Sequence, residues 1–351
     1  VELRNSGITT MSGAVTITGA SLGDGSGSDG VRIVDGSHVT TTGTGAVTIN
    51  GTAGAAGFGL VMLNGSGVGA TGTGDVWLAG TGSGGFADIA WDSLTIEKTG
   101  GTYTFQDTVE GTSLIVLPGD YQVQFLDGGV LTDAVTFQNT QGVVLGDADS
   151  DTLTFAGGMT STAGPTTIQG TLATSGTALT LGATTLISSV TLTTAGGDVT
   201  LGAVSGADVP LSILAGSGNV ALADPSNVLG DLVITANELT LVENDDITQS
   251  AAWTTTGATT LTAETHAIVL TQSENVLGPL QLTAMQISVV EATDMELAVV
   301  SFGVALDAST AGSLLVSGPL VGAESATLTS DGDLTFTSTA RLAALAGTDV
   351  D

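Results

Sequence analysis

Val1-Glu2-Leu3-Arg4, Ile8-Thr9-Thr10 and Ala14-Val15-Thr16-Ile17-Thr18-Gly19 open the chain, and the same three runs return as Val31-Arg32-Ile33-Val34, Val39-Thr40-Thr41-Thr42 and Ala46-Val47-Thr48-Ile49-Asn50-Gly51. A looser third copy reads Val61-Met62-Leu63-Asn64, Val68-Gly69-Ala70-Thr71 and Asp75-Val76-Trp77-Leu78-Ala79-Gly80. The spacing is 32 residues from Val15 to Val47 and 29 from Val47 to Val76. Each run is short, rich in β-branched residues and alternates apolar with polar, which is the pattern of a strand buried on one face. A unit of three such strands has no core of its own, so it must stack on its neighbours. The expected fold is all-β, a parallel β-helix (β-solenoid) with coils of about 21–32 residues.

The repeat changes character along the chain. Residues 1–100 hold the Gly-rich longer coils; residues 101–176 form transitional coils with aromatic runs such as Thr102-Tyr103-Thr104-Phe105 and Tyr121-Gln122-Val123-Gln124-Phe125. Residues 177–351 carry shorter alternating runs, among them Asp198-Val199-Thr200-Leu201 and Glu238-Leu239-Thr240-Leu241. Within this last region Asn227-Val228-Leu229-Gly230 recurs as Asn275-Val276-Leu277-Gly278. The same offset takes Leu232 to Leu280 and Leu239 to Ile287. A shift of about 48 residues shared by so many positions reads as a double coil. One continuous β-solenoid over 1–351 is the expected domain organisation, because a stack adds core with every coil.

Composition narrows the partners. Gly accounts for 52 residues and Thr for 58, which suits pleated strands joined by open corners. The 35 acidic residues face only Arg4, Arg32, Lys98 and Arg341, a net charge of −31. Nucleic acid and insertion into an anionic membrane are excluded as partners, since both require clustered Lys and Arg. A hydrophobic fraction of 42% is too high for a disordered acidic tail. With no Cys, the chain uses no disulfide staples, which fits a protein that stays unfolded during export and fits a cytosolic protein nearly as well.

Ile8-Thr9-Thr10-Met11-Ser12-Gly13-Ala14-Val15-Thr16-Ile17-Thr18-Gly19, Leu145-Gly146-Asp147-Ala148-Asp149-Ser150-Asp151-Thr152-Leu153-Thr154-Phe155 and the Asn-Val-Leu-Gly repeat together resemble the large repetitive exoproteins of bacteria, the filamentous-haemagglutinin and autotransporter-passenger group. The resemblance implies a right-handed coil, secretion to the bacterial cell surface, and adhesive or structural work. It carries over no functional residue.

Candidate chemistry concentrates in acidic corners. Asp147, Asp149 and Asp151 alternate, as hard cations such as calcium require of a flexible loop. Calcium at these three residues is the only metal or cofactor expected. The twelfth place counted from Asp147 is Gly158, however, where a calcium loop carries an acid. The other reading is a solvated turn, because Asp tolerates unusual backbone angles. Asp24 with Asp29, and Glu243-Asn244-Asp245-Asp246, are weaker corners of the same kind. His38 and His266 read as exposed imidazoles, and Gly80-Thr81-Gly82-Ser83-Gly84-Gly85 lacks the Lys and Ser or Thr of a phosphate loop. Of Trp77, Trp91 and Trp253, Trp77 stands where Thr16 and Thr48 stand in the earlier units, and alternation turns it outward. An outward Trp suits sugar stacking or lateral packing under a loop.

These residues point to a non-enzymatic, extracellular rod: a segment or subunit of a bacterial surface adhesin, fibre or matrix filament. The alternatives are a carbohydrate-active β-helix enzyme of the polysaccharide lyase or hydrolase kind, and a calcium-dependent glycan-binding module. An enzyme of that kind needs paired carboxylates, or a carboxylate beside Arg, Lys or His. Because Val1-Glu2-Leu3 already reads as a strand of a repeat and Asp333-Leu334-Thr335-Phe336-Thr337 still does, the expected partners are copies of the chain stacked end to end or neighbouring repeats of a longer polypeptide, with cell-surface glycans as further partners. Lys98 is the only lysine, which argues against covalent Lys–Asn links.

Overall fold

A computed structural model describes the chain except for residues 22–27, 54–57, 65, 71–74, 82–88, 97–99, 207–208, 223, 225–227, 230–231, 244–245, 250, 323 and 345–351. The described residues contain strands and turns and no helix, and their strand pairings are parallel, each joining a strand to its counterpart one coil later. This is a β-solenoid. The chain divides into two compact units, Val1–Val190 and Thr191–Asp351.

In the first unit the three opening runs become the strands Glu2–Arg4, Gly7–Thr10 and Val15–Ala20. Most of them stack in the register that the sequence repeat implies: Glu2 on Arg32, Ile8 on Val39 on Val68, and Val15 on Val47 on Val76. The first run of the third copy is displaced by one residue, Val31 pairing with Leu60 and Arg32 with Val61, because the corner residue Asn64 matches Asp35 rather than Val34. The corner after the first strand is built alike in successive coils. Asn5, Asp35 and Asn64 all adopt left-handed backbone, with φ of 47°, 57° and 60°. Asn and Asp enter that region more readily than other side-chain-bearing residues because their short polar groups bond locally. Here the Asn64 side-chain amide donates to the Asp35 carboxylate at 2.8 Å, tying one corner to the next.

Inward positions form ladders of like side chains. One runs Ile17, Ile49, Leu78, Phe105, Phe125, Leu145 and Ile168, each paired with the next and all buried. The stacked rings of Phe105 and Phe125 lie 4.6 Å apart at 9°, close to the roughly 4.8 Å between adjacent strands. Phe137 and Phe155 close the cluster edge-on against Phe125. Trp91, 3% exposed, lies against Phe105 at 5.1 Å and donates its indole N–H to the Ser113 carbonyl at 3.1 Å. Its ring lies over Gly111, its strand partner, where an added methyl would come within 2.2 Å of the ring.

In the second unit the same logic gives a ladder of Leu201, Leu222, Leu241, Leu261, Leu282, Val300 and Leu320, every member 3% exposed or less. Ile247, Ile268, Ile287 and Leu306 form a second.

Two expectations need correction. Some coils are shorter than the expected range allows, since Ile89 stacks on Val109 and Val220 on Leu239. The shortening is abrupt: Leu60 still stacks on Ile89 at the spacing of the opening coils. The echo that takes Leu239 to Ile287 also does not coincide with two stacking steps. Leu239 stacks on Thr259 and Thr259 on Leu280, while Ile287 sits over Ile268 and Ile247 rather than over Leu239. An inward ladder accepts any well-sized apolar residue, so kinship between two sequence runs does not fix which corner they occupy. Asn227 and Gly230 of the first echo lie outside the described residues.

Ile234 is fully buried and stacks on Ile213, whereas Thr235 beside it points outward. Ile234→Asp is expected to cost on the order of 4 kcal/mol by burying an unpaired charge, and Thr235→Asp less than about 1 kcal/mol. Equal melting temperatures for the two variants would refute the assigned register. In the first unit, Gly111→Ala should cost about 2 kcal/mol by driving a methyl into the Trp91 ring, with a matching change in tryptophan fluorescence; an unaltered spectrum and stability would contradict this packing.

Candidate functional site

The corners hold most of the chemistry, and there the Asp side chains clasp one coil to the next. Several carboxylates accept a backbone N–H from the following coil: Asp29 from Phe58 at 2.9 Å, Asp75 from Thr102 at 2.7 Å, Asp198 from Asn219 at 2.9 Å, Asp246 from Ala267 at 2.8 Å and Asp294 from Ser313 at 2.8 Å. A corner N–H falls outside the strand ladder and needs an acceptor; an ionised carboxylate is the strongest available.

The turn bearing Asp147, Asp149 and Asp151 is organised differently. Asp151 is buried, and one of its oxygens accepts the backbone N–H groups of Asp147 and Ala148 at 2.9 and 2.8 Å, closing its own turn. Asp149 is exposed and accepts from the Gln169 side chain of the next coil at 3.1 Å. Asp147 is exposed. Among the described residues no three His, Asp or Glu side chains gather in a group suited to a metal ion. Of the weaker corners, Asp29 pairs with Arg32 as well as with the Phe58 amide, and Glu243 is 4% exposed. Asp24, Asn244 and Asp245 lie outside the described residues, as does Lys98.

His38 is exposed on the strand His38–Thr41 and bonds through Nδ1 to its own Gly36 carbonyl at 2.7 Å. His266 lies in the bend of the long strand Thr259–Leu270, with Thr265 Oγ1 at 3.2 Å from its Nδ1. Trp77 stacks between Thr48 and Thr104 and is 39% exposed, as the alternation predicts. Trp253 is fully buried, its indole N–H donating to the Leu232 carbonyl at 2.9 Å. A groove of about 370 Å³ in the second unit includes Asp294, Glu296, Ser313 and Thr335 in its lining. Both of its carboxylates are engaged, Asp294 by the Ser313 amide and Glu296 by the Ser317 hydroxyl at 2.5 Å.

Two buried polar groups of the second unit were not singled out by the sequence pattern. Asn275, the first residue of the second Asn-Val-Leu-Gly, is fully buried. Its Nδ2 donates to Gln249 and to the Leu270 and Val290 carbonyls, while its Oδ1 accepts from Trp253 N and Gln249 Nε2. The recurrence of Asn was the available signal; its role as a tie between three coils was not. Glu291, at the end of the strand Leu280–Glu291, is 1% exposed. Burial pushes its carboxyl up from 4.5 to about 8, outweighing the approach of the Leu277 backbone N–H, which favours the charged form.

Residues 217–283, the span holding both Asn-Val-Leu-Gly runs, match a family described as repeats of unknown function (DUF5649). No curated protein and no solved structure matches the chain.

Asn275→Ala leaves several buried groups without partners and is expected to destabilise the second unit by about 3 kcal/mol; a loss below about 0.5 kcal/mol in chemical denaturation would contradict the tie. Because the turn at Asp151 already supplies its own hydrogen-bond donors, calcium should stabilise the protein no more than sodium chloride of equal ionic strength. A calcium-specific rise in melting temperature that disappears in Asp151→Asn would reverse that reading.

Proposed function

We propose that the chain is an extracellular structural and adhesive β-solenoid, a segment or subunit of a bacterial surface adhesin, fibre or matrix filament. The observation that carries this reading is how the two strand faces are used. Inward positions form ladders that are mostly apolar, and outward positions repeat uncharged side chains at the coil spacing, as in Thr136, Thr160 and Thr180 of the first unit and Thr240, Thr260 and Gln281 of the second. Such faces offer many equivalent weak contacts, and joined contacts gain avidity without any one being strong. The likeness of its repeats to filamentous-haemagglutinin and autotransporter-passenger exoproteins supports export. The net charge of −31 suits a surface polymer that resists collapse onto itself. Copies of the chain or neighbouring repeats are the proposed partners, with cell-surface glycans as adhesive targets.

The test is protease shaving of intact producing cells, followed by mass spectrometry. Peptides from this chain should be released while cytosolic markers stay inside. Retention of the chain with the cytosolic markers after complete shaving would reject the surface assignment. Adhesion is read separately: beads coated at high density with the chain should bind glycan-bearing surfaces, whereas the soluble chain binds weakly. Equal binding per molecule in the two formats would remove multivalency from the account.

A further inference from the structure

Glu291 stands among groups that have little to give it. Neither of its carboxyl oxygens completes a hydrogen bond. Thr310, its strand partner, directs its hydroxyl to the Thr293 carbonyl and accepts from the Gly312 amide. Asn275, whose carbonyl takes the Ala292 amide next to Glu291, spends its side-chain donors on Gln249, Leu270 and Val290. The Glu291 carbonyl accepts from Ala311, so the backbone around the acid is locked into the coils on both sides. The titratable groups on the elements packed here are Glu264 and His266 on the preceding strand, Glu274 in the following turn, Asp294 in the next, and Glu296 and Asp307 on the strand after. These six occupy exposed or half-exposed positions, while Glu291 faces inward, so no cation among the described residues meets it. A charge in that position meets only the approach of the Leu277 backbone N–H, which completes no hydrogen bond, whereas a neutral acid carries no charge to desolvate.

We propose that Glu291 is a proton-operated latch of the second unit: the coils joined at Asn275, Glu291 and Thr310 close around the protonated acid and loosen when the proton leaves.

The direction follows from proton binding. With its carboxyl raised from 4.5 to about 8, the folded unit holds a proton that the unfolded chain releases. The contribution of Glu291 to stability is then fully present below about pH 4.5, is lost as pH rises, and is gone above about pH 8. Between the ends of that window the opening equilibrium changes by on the order of a thousandfold.

Hydrogen exchange of the full chain between pH 5 and pH 9, corrected for the intrinsic rate, tests the latch. Peptides covering 275–292 and 310–314 should lose protection in the wild type as pH rises, while Glu291→Gln keeps them protected and peptides of residues 101–176 show no difference between the two proteins. The same pH dependence in wild type and variant would overturn the proposal by assigning the effect to general charge repulsion. A second measurement needs no variant: the side-chain carboxyl carbon of Glu291, followed by NMR in the wild type, should titrate well above the other glutamates. Titration near 4.5 would overturn the latch whatever the exchange data show.

Discussion

Along the described ladders within each unit, an interior side chain is covered by the side chain one coil before and one coil after, and the backbone groups of its strand find their partners in the same two places. Parallel stacking at one strand spacing is therefore the constraint on which everything else rests. It makes burial a property of the column rather than of the residue. Ile49 is buried because Ile17 and Leu78 lie on either side, and Leu261 because Leu241 and Leu282 do. The constraint also explains the like-on-like order. Flat rings stack well at that distance, as Phe105 and Phe125 do, and a large ring such as Trp91 needs a glycine beside it, supplied by Gly111.

Corners are where the ladder fails, and acidity meets part of that failure. Asp29, Asp75, Asp198, Asp246 and Asp294 each take up a backbone N–H of the next coil. An acidic chain is thus partly a chain whose corners are closed by charge-assisted bonds. Cations take a small share of this work: Arg4 bridges Glu2 and Asp35, and Arg32 joins Asp29, all within the first two coils. Exposed pairs of that sort contribute little, typically below about 1 kcal/mol. The partly buried Asp29, which also holds the Phe58 amide, is the more firmly placed of these acids.

A stack held together from within leaves its outer side chains under light constraint, which is the physical basis for reading the protein as a scaffold that presents surface. Glu291 breaks the pattern. It encloses an ionisable group in the interior beside Thr310, and it has neither the clasp that Asp294 makes nor the network that satisfies Asn275. Exceptions of this kind add sensitivity to solution conditions rather than stability.

Repetition alone settled the solenoid and most of the register of its first three coils: Thr16, Thr48 and Trp77 fall in one outward row, as their spacing requires. The first strand of the third copy is the exception, one residue off, with Val31 meeting Leu60 rather than Val61. The sequence also placed the inward Leu and Ile residues of the second unit, since a period of two assigns each side chain to a face. What it left open was register across the corners. The echo from Leu239 to Ile287 is a kinship of sequence, while two stacking steps from Leu239 arrive at Leu280, because corner length and ladder fit, not resemblance, choose which strands meet. The use of each acid was likewise a tertiary matter. Asp147, Asp149 and Asp151 look alike in sequence, yet only Asp151 turns inward to bind its own turn, and Glu291 looks like any strand-end glutamate until the coils on either side enclose it. The surroundings of such groups come from residues a whole coil away along the chain, and only the stacked structure brings them within reach.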